Sequence, residues 1–528
     1  MVRDFFRAFK ILFQMIRVIR HIQWLDKNLV IEKTSRQKVI VINSVRSYIP
    51  IQMMIESYFA LILVKRGHIV HLLLDDGYLE SHDTRQVASQ NIFSQQYIVK
   101  LCNLLIEKSS LGSYITFNSE LAYKEQFAKS DNINCSEHTS EYVQASIVRY
   151  FNSAPDDLLL AKEKHYETVR RFYEMNERLS RGLATNVLTS LEPDLVISSH
   201  GIYTSWGSFL NEVDDSGVDY ITWGGNGFTS GLVDFSRNDI AANKLDGGYF
   251  EFLKNSDALR DKAILKGKEC ILKRTSHSAD DQKRLRKNNT TDNIDYIHHL
   301  KSLKDNGKKI VSIFPNVMWD NATTFKSSNT IFDSPVQWLI ETALKISNLG
   351  NYHLVIRVHP AENGFMSVRA SVMDILKLYN VSLNNITLIP ASSAVRSLDL
   401  VAFSDVCSVY NGTIGLEIIE LDKPLLVASR AAYSLKGFTF DCNNKEDYFK
   451  SLQNEAEILN LQVTNKELFY LFCCEYFFLH GVPIPYISSV NPLEPNFNSQ
   501  IDARRATDIA RFFEGELEFS QEISNYDF

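Results

Sequence analysis

Short unbroken apolar runs, each closed by small or polar residues and followed by a helical pattern, recur in both halves of this 528-residue chain. In the first half, Lys38–Ser44 has the pattern of a buried strand. Pro50–Arg66 reads as a helix with proline in its tolerated first turn, and Ile69–Gly77 is the next strand with its turn. A mainly helical stretch runs from about 84 to 190, and strand patterns return at Asp194–Ser199 and Val218–Trp223. In the second half, Ile310–Pro315, Leu354–Val358, Ile386–Ile389, Val406–Tyr410 and Pro424–Ala428 read as strands. Helices are expected at Ser334–Leu349 and Gly415–Leu421. Runs that are apolar throughout suit strands buried on both faces, which means parallel sheets covered by helices. A chain this long exceeds one core, so two α/β, Rossmann-like domains are predicted. The expected limits are a basic amphipathic helix at 1–30, an N-terminal domain with a helical insert at 31–275 and a polar linker at 276–295. A C-terminal domain at 296–450 and a helical return segment at 451–528 complete the plan.

Composition narrows the function. With 45% hydrophobic and 23% charged residues the chain is an ordinary globular protein, and a net charge of −7 gives no reason to expect nucleic-acid binding. Its seven cysteines are scattered and form no CxxC, so a reducing compartment is expected and a structural metal is not. No run of about 18 uncharged apolar residues exists, so no transmembrane helix is expected, and the N-terminus lacks the pattern of a signal peptide. Between Met1 and Lys27, six basic residues face two acids, a balance of +4. Arg3, Arg7, Lys10, Gln14, Arg17 and His21 make a polar stripe at helical spacing, and Phe5, Phe6, Phe9, Leu12, Phe13, Ile16, Ile19 and Trp24 cover the rest. Such a helix suits an anionic membrane surface. The plainer alternative packs its aromatic face onto the protein's own body.

The chemistry concentrates between Leu354 and Asp441. One loop, Arg357-Val358-His359-Pro360-Ala361-Glu362, ends a strand; the other, Tyr410-Asn411-Gly412-Thr413-Ile414-Gly415-Leu416-Glu417, breaks a strand into a helix. Unpaired N–H groups at a helix start attract phosphate, and small residues let a ligand approach the backbone. Together the loops suggest an enzyme that uses a nucleotide-activated sugar or polyol.

These two loops, with Asp422-Lys423-Pro424 and Gly437-Phe438-Thr439 beyond, resemble the bacterial capsule polysaccharide synthesis family, which includes the Kdo transferases. The resemblance covers about residues 308 to 445. It implies a GT-B fold, two Rossmann-like domains facing a cleft with the nucleotide held mainly by the C-terminal one. Many such relatives use cytidine-linked donors. The chain departs from the Tyr-Ala-Gly-Trp-Gly pattern of the closest Kdo transferases, carrying Tyr433-Ser434-Leu435-Lys436-Gly437-Phe438 instead.

Residue by residue, the expected donor site comprises Arg357, His359, Asn411, Gly412, Thr413, Glu417 and Lys436. His359 follows a strand at the edge where open α/β sheets bind ligands; its protonated imidazole would offset charge on the leaving nucleotide. Asn411, Gly412 and Thr413 form a phosphate turn or a plain helix cap. Glu417, one turn after Thr413 and on the same side, would accept ribose hydroxyls or balance the helix dipole. Lys436 would neutralise phosphate or carboxylate. Asn316 and Asp320 follow the first strand of the second half and face the expected cleft, and Arg46 sits in a first-half loop on the acceptor side. Asp75-Asp76-Gly77 and Trp223-Gly224-Gly225-Asn226-Gly227 border that side too. His200, after a strand, is the candidate base or acceptor clamp, and with His359 completes the catalytic pair.

The chain contains no Walker P-loop, GxSxG or HExxH motif and no DxD-type loop in the donor half. The resulting expectation is metal-independent transfer with no cofactor beyond the nucleotide-sugar co-substrate. The product would be capsule or surface polysaccharide, built on a glycan or lipid-linked acceptor at the cytoplasmic face of the inner membrane. Three alternatives stay open: a CDP-glycerol-type polyol-phosphate transferase, a sugar-nucleotide 2-epimerase and a non-catalytic assembly scaffold.

Overall fold

The computed structural model describes residues 2–44, 49–74, 92–109, 112, 140–224, 232–239, 249–276, 293–319, 331–363, 370–479, 482–483 and 503–517. Its strands, in chain order, are β1 (Val39–Ser44), β2 (Ile69–Leu74), β3 (Leu195–Ser199), β4 (Tyr220–Gly224), β5 (Leu232–Arg237), β6 (Lys309–Phe314), β7 (Tyr352–Arg357), β8 (Ile386–Ile389), β9 (Val406–Val409), β10 (Leu425–Val427) and β11 (Val482–Pro483). They belong to two compact units. The first comprises residues 1–150, 165–244 and 481–525, and the second mainly 151–164 and 245–480.

In the first unit the sheet order is β11-β5-β4-β3-β1-β2. Strands β1 to β4 run parallel, and β5 and β11 add antiparallel pairs at one side. Continuous burial of β1, β3 and β4 follows from their apolar runs, as expected for strands covered on both faces. The helix Pro50–Arg66 begins at its proline and ends at Gly67, whose φ of +102° only glycine adopts without strain.

The second unit carries the all-parallel order β10-β9-β6-β7-β8. Its core joins Val311, Ile313, Leu339, Leu354, Ile356, Val406 and Leu426 to Trp338 and Tyr448. The Trp338 indole N–H donates to the Tyr448 hydroxyl at 2.8 Å, so both polar tips are satisfied inside the core. Helix Pro335–Ser347 starts where Ser334 caps the backbone N–H of Gln337.

In each unit the chain steps from its first strand to one side and later returns to the other. The strand order therefore reverses between β1 and β3, and again between β6 and β9. At such a point the adjoining connections leave in opposite directions and open a crevice at the carboxyl ends of the strands.

The domain limits differ from the sequence expectation. Residues 245–275 belong to the second unit because helix Arg260–Thr275 packs on helices Lys466–Cys474 and Ile414–Glu420. Of the expected return segment, 451–480 stays with the second unit and 481–525 belongs to the first, where Ala503–Glu514 packs on Pro50–Arg66. There Arg66 donates to both carboxylate oxygens of Glu514 at 2.7 and 2.6 Å, and His68 Nε2 lies 2.8 Å from the same group. Of the expected linker, residues 277–292 lie outside the described residues.

The N-terminal helix Val2–Asn28 packs on Pro50–Arg66 and Ile92–Glu107 through Met15, Val18, Ile22 and Leu25. His21, assigned by its spacing to the polar stripe, is buried with that face. Phe9 and Phe13, two of the aromatic residues beside that stripe, are exposed rather than packed as the plainer alternative had it.

Candidate functional site

The reversal between β6 and β9 brings Asn316 and Asn411 together. Asn316 follows β6 through Pro315, Asn411 follows β9 through Tyr410, and the Asn316 Nδ2 donates to Asn411 Oδ1 at 2.9 Å. Asn316 Oδ1 is buried with no hydrogen-bond partner among the described residues. Its position 3.5 Å from a Cβ built on Gly412 places it against the second loop.

The two glycines of that loop have different jobs. A Cβ on Gly415 would overlap the Tyr433 hydroxyl, which donates to the Gly412 carbonyl at 2.8 Å. Tyr433 is buried, and burial pushes its phenol well above the usual range. Gly415 is thus a slot for Tyr433, and Tyr433 braces the turn from beneath. Gly412 has no atom closer than Asn316, so no packing demand excludes a side chain there.

His359 ends the adjacent strand connection. It caps a short turn at Pro360–Glu362, its Nδ1 accepting the Ala361 N–H at 3.1 Å. Burial, and then the Arg357 charge, lower its pKa to about 4. At neutral pH the ring is therefore neutral, with its proton on Nε2. The protonated imidazole expected from sequence is replaced by a neutral N–H donor, because an imidazolium here would lose its water and face a cation. Arg357 itself is buried and donates to the carbonyls of Val358, Pro390 and Ser393, holding the end of β7 to the chain beyond β8. Next to His359, burial and then Asp374 push the Glu362 carboxyl up to about 8.

Thr413 and Glu417 part company. Thr413 is exposed at the start of helix Ile414–Glu420, whereas Glu417 is 5% exposed and bound through Oε1 to Arg274 Nε and Nη2 at 3.2 and 3.1 Å. Burial raises the Glu417 pKa, and Arg274 opposes that rise. One turn apart, the two differ in exposure, the buried Glu417 carboxylate being paired with Arg274. Arg274 comes from helix Arg260–Thr275, and 143 positions of chain separate the partners, so local spacing carries no signal for the pair. Lys436 lies over the Phe250 ring at 5.1 Å.

In the first unit the reversal between β1 and β3 joins Asn43 to Ser198, Nδ2 to Oγ at 3.4 Å. Beside it the fully buried Glu56 is bonded to Ser44 Oγ and Gln52 Nε2. His200 follows β3 in a left-handed conformation, φ +55°, stacked on Trp206 at 5.2 Å with Nδ1 against Ser199 Oγ. A π-helical turn, Tyr203–Gly207, follows it. Arg46, Asp320, Asp75-Asp76-Gly77 and Gly225-Asn226-Gly227 lie outside the described residues.

Residues 274–477 match the model of a family described as capsule polysaccharide biosynthesis protein. That segment is similar to this family. The matched segment opens at Arg274 and contains the Asn316–Asn411 contact, His359 and Glu417. No curated protein matches the chain. Among solved structures, the beta-Kdo 2,7 transferase KpsC of Thermosulfurimonas dismutans is 14% identical, covering 58% of this chain and 84% of its own, at a TM-score of 0.32. A UDP-GlcNAc 2-epimerase from Neisseria meningitidis bound to UDP-GlcNAc is 12% identical, covering 83% and 97%, at 0.24. The calicheamicin glycosyltransferase CalG4 is 11% identical, covering 91% and 99%, at 0.23. Scores this low transfer neither a residue role nor a substrate.

Proposed function

We propose that this protein is a glycosyltransferase of capsule or other surface polysaccharide assembly. It moves a sugar from a nucleotide-activated donor, cytidine-linked donors being the first to test, onto a glycan- or lipid-borne acceptor. The observation that carries the reading is the Asn316–Asn411 contact, made at the strand reversal of a parallel sheet inside the capsule-synthesis segment.

In this reading Asn316 Oδ1 accepts a donor hydroxyl and the Asn411–Thr413 turn faces phosphate. His359 donates its Nε2–H to a phosphate oxygen as the bond to the sugar breaks. A neutral donor placed where charge develops contributes roughly 100- to 1,000-fold in rate. Arg357 holds that loop in place. Glu417 offers ribose one oxygen, since Arg274 occupies the other. In the first unit His200 binds or deprotonates the acceptor hydroxyl. Transfer proceeds without a divalent ion, at the cytoplasmic face of the inner membrane, with residues 1–27 on the membrane side.

The test is calorimetric titration with CMP, CDP, UDP and GDP, with His359→Ala and Asn316→Ala alongside. Selective binding of one nucleotide, weakened in both variants, supports the site and names the donor class; no binding to any overturns it. Product analysis then separates sugar transfer from phosphorus transfer and from epimerisation. Activity that vanishes with EDTA and returns with magnesium would overturn the metal-independent part.

A further inference from the structure

The N-terminal helix has two faces with different chemistry. Met15, Val18, Ile22 and Leu25 are each at most 2% exposed and bind the helix to the first unit. Phe9, Phe13 and Ile16 lie on another face at spacings of four and three and are 64%, 53% and 38% exposed. Arg20 and Lys27 continue that face, with Lys10 and Arg17 along its border; Lys10, Arg20 and Lys27 are exposed. Arg17 lies over the Phe13 ring at 5.1 Å. The one acid between Phe9 and Asn28 is Asp26, held by Lys65 at 3.2 Å. The outward strip is therefore apolar rings interleaved with cations and free of carboxylates.

We propose that this strip docks on an anionic bilayer surface, Phe9, Phe13 and Ile16 entering the headgroup boundary while Lys10, Arg17, Arg20 and Lys27 meet lipid phosphates. A protein partner fits less well, because the buried centre of a protein interface is depleted in charge, whereas here cations flank each ring. A bilayer takes both at once, with hydrocarbon for the rings and phosphates for the cations a few ångströms away. No described helix is long and apolar enough to cross a membrane, so docking leaves the helix on the surface with its opposite face still bound to the unit. The geometry brings the first unit to the lipid. This deepens the reading of a membrane-side acceptor and takes its biological meaning from it, but vesicle binding is measured without nucleotide or acceptor.

The test is sedimentation of the full chain with phosphatidylcholine vesicles, with and without phosphatidylglycerol. Wild type should bind only the vesicles that contain phosphatidylglycerol, and rising salt should release it. Phe9→Ser with Phe13→Ser should lose binding at least tenfold, and Lys10→Gln with Arg17→Gln and Arg20→Gln roughly a hundredfold. All five positions lie on the outward strip, so circular dichroism and nucleotide affinity should be unchanged in both variants. No sedimentation of wild type with either vesicle overturns the proposal. Equal binding to both vesicles overturns the anionic assignment. A drop in solution mass on the phenylalanine substitutions, without vesicle binding by wild type, assigns the strip to a second copy instead. Lost nucleotide binding with intact vesicle binding would count against the donor site alone.

Discussion

Asn316 and Asn411 stand 95 positions apart in the chain and 2.9 Å apart in space, one donating its side-chain N–H to the other's carbonyl. The contact leaves Asn316 with a buried acceptor facing the turn at Gly412. Asn316→Ala should weaken nucleotide binding about tenfold with little change in Tm, since one neutral hydrogen bond is worth about 1 kcal/mol net. Asn316→Asp should bind worse still, because it replaces the N–H with a second acceptor and adds negative charge beside the phosphate turn. Calorimetry with both variants checks this; equal, undiminished affinity would make the pair purely structural.

The glycines of the second loop should separate packing from binding. Gly415→Ala drives a methyl into the Tyr433 hydroxyl and should cost about 1–3 kcal/mol, read as a fall in the denaturation midpoint. Adding Tyr433→Phe removes the overlapping oxygen and should restore part of the loss. Gly412→Ala meets only ordinary contacts and should fold as wild type, so reduced nucleotide affinity in that variant reports close approach of the ligand.

His359 should stay neutral across the working pH range. Its folded pKa of about 4 lies below the ordinary 6.5, so the unfolded chain binds more protons between those values. The stability it contributes is present above about pH 6.5 and is lost as pH falls toward 4. An NMR titration of the imidazole should show its midpoint near 4, and no inflection near 6.5 in the rate profile should vanish in His359→Gln. A midpoint near 6.5 would restore the cationic role.

Glu514 should govern acid stability of the first unit. Burial pushes its carboxyl up, but Arg66 and His68 outweigh that and hold it at about 2, against an ordinary 4.5. A depressed carboxylate stabilises the fold above about pH 4.5, and that contribution disappears as pH falls toward 2. Arg66→Ala leaves the buried carboxylate short of its main partner and should cost about 3–5 kcal/mol by urea denaturation at neutral pH. Glu514→Gln should flatten the acid limb of the stability profile.

Glu417 and Arg274 should behave as one unit. Arg274→Met alone leaves a buried carboxylate without its partner, whereas Arg274→Met with Glu417→Leu removes both charges and should recover most of the lost stability. If the double variant still binds nucleotide as wild type does, the ribose role of Glu417 is excluded.

Much of the fold was legible because its signals are local. The predicted helix from Pro50 to Arg66 and strand Ile386–Ile389 match the structure residue for residue, since a proline start, a glycine stop and a run of β-branched and apolar residues act within a few positions. Strand β5 carries no such signal, because Leu-Val-Asp-Phe-Ser-Arg mixes polar with apolar residues in an antiparallel pair with β4 rather than forming an apolar run. Tyr433 lies beneath the turn, because only the slot at Gly415 decides where its ring goes.

By itself, then, the sequence determined the alternation of strand and helix, the two α/β units and the loops at the carboxyl ends of β7 and β9. Those follow from hydrophobic period and backbone preference, which neighbouring residues share. Tertiary structure alone decided that Asn316 meets Asn411, that Arg274 claims Glu417, that Glu514 joins Arg66 and His68, and which face of the first helix is left open. Each of these depends on strand order or helix packing that brings together positions far apart in the chain, and burial then settles the charge each group carries.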